Sequence, residues 1–418
     1  MRMPRHLKRW VEVARILVVA FGLRNSNTRL QPWRYLVELG GGLVEGGHEV
    51  LFLGEESFHM PSTVRPSGIE VRNRRVRGRF LWTRRGLTAR IKGENPDLVI
   101  FPISRSTVFY RFALKEIGAP IVGVVTASPP TLSDVLRTRG SWIGRDLLEL
   151  AAILLDATIP EQLIGSLLRH KAFRHFVTLS IRSQEWLIAL GVPSTKVSVI
   201  VPGSDSREFP DGPHGQAREP YGVADGDFLF CYLGSPAFYR GSDLLIRGFQ
   251  RAFKHTNSIK LLYLLRTQEN PEHLDLYADL LQRMAHKSGL QGRVLFVRDR
   301  LSHEELRVAV AAADAVVLPF KLLQAECPLS VIEVVESGVP LITVPLDGIP
   351  DLVRGTQTVL VPSRDRELAQ AMTNIVNEWR GHLQDSRAIV HAPAFAPWST
   401  VRERLASVAT AALNGGSR

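Results

Sequence analysis

Short β-branched and aliphatic runs alternate with helical stretches along the whole chain, and this alternation restricts the fold more than any other feature. RILVVAFG (15–22) reads as a strand ending at Gly22, and LQPWRYLVELGGGLVEGGHEVLFLG (30–54) as a helix, a glycine stop and the next strand. PDLVIFP and PIVGVVT follow as strands, then a long helical region between Ser141 and Phe176, the strand FVTLS, the helix SQEWLIALG and the strand VSVIVPG. Strands separated by helices pair in parallel, because each crossover needs a helix to return the chain to the same end of the sheet. A second series begins at FLFCYLG and runs through SDLLIRGFQRAFK, IKLLYLL, PEHLDLYADLLQRMAHKSG, VLFVRD, HEELRVAVAAA and AVVLPF. Residues 209–226, rich in Gly, Pro and charge and without periodicity, separate the two series as a linker. The expectation is an α/β chain of two doubly wound domains, 1–208 and 227–394, with a final helix in 395–418 that returns to the first domain. Two such sheets turned toward each other place the carboxyl ends of their strands at one cleft, where ligands of this architecture bind.

A chain of 418 residues, 45% hydrophobic and 22% charged, has ample core for this arrangement. Cys231 and Cys327 lie far apart without ligand spacing, which excludes a disulfide framework, gives no zinc motif and fits a reducing interior. No apolar run reaches the roughly 18 residues that a membrane span needs. The basic N-terminus ahead of Ile16 to Ala20 lacks a small-residue cleavage site, so that stretch reads as the first buried strand. The expected location is therefore cytoplasmic, with peripheral contact at the inner face of a membrane. The net charge of +11 is concentrated between Arg72 and Lys92, where Arg72, Arg74, Arg75, Arg77, Arg79, Arg84, Arg85, Arg90 and Lys92 occur with no acid among them and with Phe80, Leu81 and Trp82 interleaved. An anionic membrane surface suits that stretch, and a solvated basic face is the plain alternative. Nucleic acid ranks below both, since no nucleic-acid-binding signature accompanies the charge.

The segment ECPLSVIEVVESGVPLITVPLDGIPDLV (326–353) places Glu333 within an apolar helix expected from about Ser330 to Ser337. Ser330 is expected to cap it and Gly338 to end it in the left-handed conformation. Glu333 then falls in the first turn, where free N–H groups and the positive end of the helix dipole favour a carboxylate or a ligand phosphate. Taken by itself, Glu333 reads first as a residue compensating the dipole.

Five segments in order resemble the family-4-type glycosyltransferases of the GT-B fold. They are Ile16 to Val19 with Leu36 to Leu39 and Gly47-His48-Glu49-Val50; LIALGVPSTKVSVIVPGSDSREF; YLGSPAFYRGSDLLIRGF; LSHEELRVAVAAADAVVLPF; and PLSVIEVVESGVPLITVPLDGIPDLV. The resemblance covers nearly the whole chain. It implies a metal-independent, retaining transfer of a hexose from a nucleotide-diphosphate sugar, with no other cofactor, to a glycan or lipid-linked acceptor on the N-terminal domain. It implies donor contacts from Gly22, Gly234, Ser235, Arg240, Leu329, Ser330, Val331 and Glu333, with Glu333 on the ribose hydroxyls and Arg240 at the position where the family has lysine. A guanidinium there clamps phosphate oxygens as negative charge builds on the leaving group. Arg240 and Glu326 are the expected catalytic residues, and Arg24, Thr126, Ser128 and Arg266 are further candidates for phosphate or acceptor contacts.

The chain also departs from the family pattern. The first of the two family glutamates falls at Ala325, with Glu326 one place on, so either a loop adjustment brings Glu326 to the sugar or that contact is lost. Ser235 stands where the family has arginine. Arg266 either supplies the missing charge or is a strand-end surface arginine, and Gly22 is either a donor contact or only a tight turn. Retaining transfer needs no protein base when the leaving phosphate assists deprotonation, so the absence of a histidine near PIVGVVTASPP does not exclude catalysis. Trp142 and the apolar helices after it are expected at a membrane surface, and Trp398 is expected to pack the final helix. A non-catalytic nucleotide- or glycan-binding scaffold is the alternative of a different class. A nucleotide-sugar epimerase shares the fold but calls for more acid/base residues in the cleft.

Overall fold

The structure, a computed structural model, describes residues 13–24, 27–54, 72–75, 84–143, 146–205, 218–224, 226–265, 271–298, 301–381 and 395–415. The strands of the first half are β1 (Arg15–Val19), β2 (Glu49–Gly54), β3 (Arg72–Arg75), β4 (Leu98–Pro102), β5 (Ile121–Val125), β6 (Phe173–Thr178) and β7 (Val197–Val199). They form one parallel sheet in the order β3-β2-β1-β4-β5-β6-β7. The second half contributes β8 (Phe228–Gly234), β9 (Ile259–Leu265), β10 (Val294–Val297), β11 (Ala315–Leu318), β12 (Leu341–Thr343) and β13 (Thr358–Leu360), parallel in the order β10-β9-β8-β11-β12-β13. This is the two-domain α/β fold expected from the alternating runs.

Each strand order reverses once, between β1 and β4 in the first sheet and between β8 and β11 in the second. At such a reversal the neighbouring crossovers leave in opposite directions and open a crevice at the strand ends. Helices cover both faces of the first sheet, so its central strands β1, β4 and β5 are apolar, whereas the edge strand β3 is RNRR. Ile16 and Val18 join the core on one face, and Leu17 and Val19 the core on the other.

The helix Trp33–Glu45 runs through Gly40-Gly41-Gly42, and the stop lies at Gly46 and Gly47. Glycine inside a helix costs about 1 kcal/mol relative to alanine. Here it buys close approach: a Cβ on Gly40 would lie 2.4 Å from the Phe52 ring, and one on Gly42 would lie 2.5 Å from the Arg402 carbonyl oxygen. Arg402 belongs to the last helix, Trp398–Asn414, which lies on the first-domain helix and donates to buried Glu38 at 2.7 Å and to Glu45. Trp398 is buried beside Tyr35, with ring centroids 6.4 Å apart. The chain reaches this helix through a backbone pairing of Ser204 with Ala396 and Trp398, at 3.0 and 3.2 Å.

Candidate functional site

Both switch points end in turns held open by glycine. After β1, Gly22 has φ +72, its carbonyl accepts from Asn27 Nδ2 at 2.8 Å, and Trp33 Nε1 donates to the Phe21 carbonyl at 2.8 Å. Arg24 is exposed on this turn, and its backbone N–H donates to Asn27 Oδ1 at 2.8 Å. Asn27 thus organises the loop. It is buried, and its sequence context NSNTR looked only like a polar turn.

After β8, Gly234 has φ +144, and the Tyr232 hydroxyl donates to the Ser235 carbonyl at 2.6 Å. Ser235 Oγ accepts from the Ala237 N–H at 3.4 Å, so in this chain the family's arginine position shapes the turn. A short 3₁₀ segment, Phe238–Arg240, follows and ends at Gly241, whose φ is +81. A Cβ on Gly241 would lie 1.8 Å from the Pro319 carbonyl oxygen, which ties the loop tightly to the segment leaving β11. Arg240 therefore lies against that segment, its guanidinium carbon 5.3 Å from the centre of the Phe320 ring. Arg240 Nε is buried and has no hydrogen-bond partner among the described residues.

The segment from β11 enters the helix Leu329–Ser337 through Pro328, whose ψ of 128° is extended. Proline takes the cap because its missing N–H costs nothing at a helix start. The helix therefore begins one residue earlier than expected, and Ser330 is not its cap. Ser330 Oγ is buried and, among the described residues, has no partner. Glu333 consequently opens the second turn rather than closing the first. Its side chain is half-buried, and helical geometry directs it back toward the amino end of the helix. Gly338, φ +69, ends the helix. Leu329 and Val331 lie in the first turn, and Val331 N–H donates to the Pro328 carbonyl at 3.0 Å.

Glu326 was expected at the transferred sugar. Its side chain is instead wholly buried, and its partners belong to the first domain. Leu179 N–H donates to the carboxylate at 3.1 Å, Ser128 Oγ donates at 3.0 Å and Ser183 Oγ donates as well. The Glu326 N–H donates to the Thr126 carbonyl at 3.2 Å. Thr126 and Ser128, candidates for substrate contact, are thus brought together with Glu326 at the junction of the two domains. Burial pushes the Glu326 carboxyl above its usual range, and the hydroxyls of Ser183, Ser128 and Ser180 and the Leu179 N–H pull against that. Nearby, Asp347 has φ +46 and faces Arg182 of the first domain at 3.5 Å. Burial raises its carboxyl to about 6 against the pull of Arg182, with Glu326 adding to the rise. Gly348 has no space for a side chain, since a Cβ would meet Cys327 Sγ at 2.7 Å and Ser180 Cβ at 3.0 Å.

A second junction lies beside β11. Trp142 is buried and stacks on Tyr239, with centroids 4.9 Å apart, so it is not a surface residue as expected. Lys321 Nζ donates to Ser141 Oγ at 2.8 Å and to Asp243 Oδ1 at 2.8 Å. Burial lowers the Lys321 ammonium and Asp243 opposes that shift. Sequence reading missed Lys321 and Asp243; the acid directly after Gly241-Ser242, at a helix start, was the available signal. Arg266 lies outside the described residues, as do 76–83 within the arginine-rich stretch. In that stretch Arg90 is half-buried and Lys92 is exposed, 3.8 Å from Glu116.

Residues 33–208 match the family model described as Glycosyltransferase Family 4, and residues 227–378 match that described as Glycosyl transferases group 1. The chain belongs to the family-4-type glycosyltransferases of the GT-B fold. It is 26% identical over 227 residues to the D-inositol 3-phosphate glycosyltransferase of Nocardia farcinica, covering 53% of this chain and 49% of that one. The chain thus spans about half the length of the curated relatives it matches. The crystal structure of Anabaena Alr3699/HepE in complex with UDP-glucose superimposes with a TM-score of 0.64 at 16% identity, over 95% of this chain and 100% of that one. Sucrose-phosphate synthase from Thermosynechococcus elongatus gives 0.61 at 15% identity, over 96% and 94%. In this family member, the Gly234 loop and the helix Leu329–Ser337 occupy the switch point of the second sheet.

Proposed function

We propose that this chain transfers a hexose from a nucleotide-diphosphate sugar to a lipid-linked or glycan acceptor, with retention and without a metal ion. The observation that carries the reading is a pair of buried polar atoms with no partner among the described residues, Arg240 Nε and Ser330 Oγ, one on each segment of the second switch point. A buried polar atom left unpaired costs about 1–3 kcal/mol. Others among the described residues, such as those on Arg15, Thr256 and Trp398, lie elsewhere. These two are set apart by standing where two segments meet at strand ends, the place where a ligand can supply the missing bond. An anion fits there: Arg240 contributes a cation, and the first turn at Leu329, Ser330 and Val331 contributes the positive end of the helix. As the bond from the anomeric carbon to the phosphate oxygen breaks, its electron pair passes to the diphosphate, where these groups stabilise it. The acceptor hydroxyl attacks the same face, and its proton passes to the leaving phosphate. Glu333 accepts hydrogen bonds from the two ribose hydroxyls, and Gly22 and Arg24 face the donor phosphate and acceptor from the first domain. Glu326 acts by positioning, joining the domains through Ser128, Ser183 and Leu179. The complex of the similar Anabaena protein with UDP-glucose supports a nucleotide-sugar donor.

Calorimetric titration of UDP, GDP, ADP and their sugar conjugates tests this. One nucleotide is expected to bind, and Glu333→Ala to weaken it by about 1.5–3 kcal/mol, as for hydrogen bonds to a charged group. Unchanged binding in the variant returns Glu333 to a role in the helix alone. The inward turn of Glu326, with Ala325 at the family's glutamate position, favours a second reading, a GT-B protein that binds nucleotide or glycan without transfer. Tight nucleotide binding with neither hydrolysis nor transfer of any donor would select it.

A further inference from the structure

The helix Asp146–Thr158 is apolar on two sides, with Leu150 and Ile153 packed against the core. Its polar side chains face the protein: Asp146 lies 2.7 Å from the Tyr277 hydroxyl, Glu149 accepts from Gln324 Nε2, and Asp156 accepts from the Ser106 N–H at 2.7 Å. Its opposite face, Leu147, Leu148, Ala151, Ala152, Leu154 and Leu155, is exposed and wholly apolar, with Leu148 64% exposed and Leu147 and Leu155 each 53%. A helix at the surface of a soluble domain normally keeps a polar outer face. The adjoining helix Leu132–Arg137 packs against it and exposes Leu132 and Leu136, and the neighbouring segment 105–116 exposes Phe109 and Phe112. Exposed apolar side chains gathered on adjoining elements mark an interaction site.

The charge around it selects the partner. The acids of these elements are paired within the protein, Asp134 with Arg137 at 2.7 Å, Glu161 with Arg105 at 2.6 Å and the exposed Glu116 with Lys92 at 3.8 Å, in addition to the three on the helix Asp146–Thr158. Arg111, Lys115 and Arg139 occupy exposed positions, and Arg111 lies over the Phe112 ring at 4.7 Å. An apolar face rimmed by cations is complementary to acyl chains beneath anionic headgroups. A second copy of the chain fits less well, since a symmetric pairing would set the cationic rims against each other. We propose that the outward face of the helix Asp146–Thr158 docks this protein on an anionic lipid bilayer.

This deepens the lipid-linked acceptor reading by naming the surface that meets the membrane, a different one from the arginine-rich stretch. The test is flotation of the full chain with vesicles of phosphatidylcholine alone or mixed with phosphatidylglycerol. No donor is present, so the outcome is independent of whether transfer occurs. The wild-type chain is expected to float with the mixed vesicles and to be released by salt. Leu148→Glu/Leu155→Glu is expected to weaken that binding at least about tenfold, with its circular dichroism and thermal transition unchanged because both side chains are already in water. Arg111→Glu/Arg139→Glu, a second variant that leaves the leucines in place, should lose the preference for anionic lipid. A wild-type chain that stays out of the vesicle fraction overturns the proposal. So does equal flotation of the leucine variant, or a change from dimer to monomer in that variant by light scattering, which would assign the face to a second copy.

Discussion

The helices Leu329–Ser337 and Asp146–Thr158 draw on the same kinds of side chain and end in opposite surroundings. In the first, Val331, Ile332, Val334 and Val335 are buried under the second sheet and Glu333 stays half in water. In the second, the acids go inward beside Leu150 and Ile153, and Leu147, Leu148, Leu154 and Leu155 go out. The apolar content of a helix therefore does not fix its depth. Depth depends on what the rest of the fold offers each face. The first helix is offered a sheet, and the second is offered hydroxyl and amide groups at the junction of the domains, which its carboxylates satisfy.

The sharpest way to break this contrast is to place a charge in each helix. Val334→Asp buries a carboxylate with no partner and is expected to cost at least about 3 kcal/mol, seen as loss of the cooperative thermal transition. Leu148→Asp adds the same charge to a side chain already in water, and its stability should change by no more than about 0.5 kcal/mol. Equal losses in the two variants would end the comparison.

A smaller effect sharpens it at the junction. Glu326→Ala removes the acceptor shared by Leu179, Ser128 and Ser183 and leaves buried donors unpaired, at about 1–3 kcal/mol. Glu326→Gln keeps an acceptor and should cost less. Small-angle scattering should show the alanine variant more open than the wild type, and an unchanged profile would mean that the second junction, at Trp142 and Lys321, holds the domains alone.

The smallest expected effect is a pH dependence. The Asp347 carboxyl is raised to about 6 in the folded chain, so between its ordinary unfolded value of about 3.9 and that value the folded state binds more protons. This contribution to stability is present at the acidic end of that window and is lost as pH rises through 6. Asp347→Asn should flatten the thermal midpoint across the window, and an unaltered slope would remove Asp347 as its source.

Much of the fold was legible because its signals are local. The strand β8 announces itself in FLFCYLG, the turn after it in Gly234, and the helix end in Gly338, since backbone conformation and period are properties of neighbouring residues. The two parallel series followed from the same alternation. The helix start was placed one residue late because serine and proline compete for a cap, and here the proline took it. Arg240 and Glu333 were singled out through the family resemblance, and the structure sets them on the two segments at the second switch point.

The sequence by itself determined two doubly wound domains and the loops that leave their strands, while the strand order came from the structure. Tertiary structure alone decided that Glu326 turns to Ser128 and Ser183, that Lys321 meets Asp243 and Ser141, that Trp142 is buried on Tyr239, and that the helix Asp146–Thr158 shows Leu147, Leu148, Leu154 and Leu155 to the outside. The reason is physical. A period records which residues share a face, but the cost or gain of burying that face depends on partners far along the chain, and those partners come into range only once both sheets have formed.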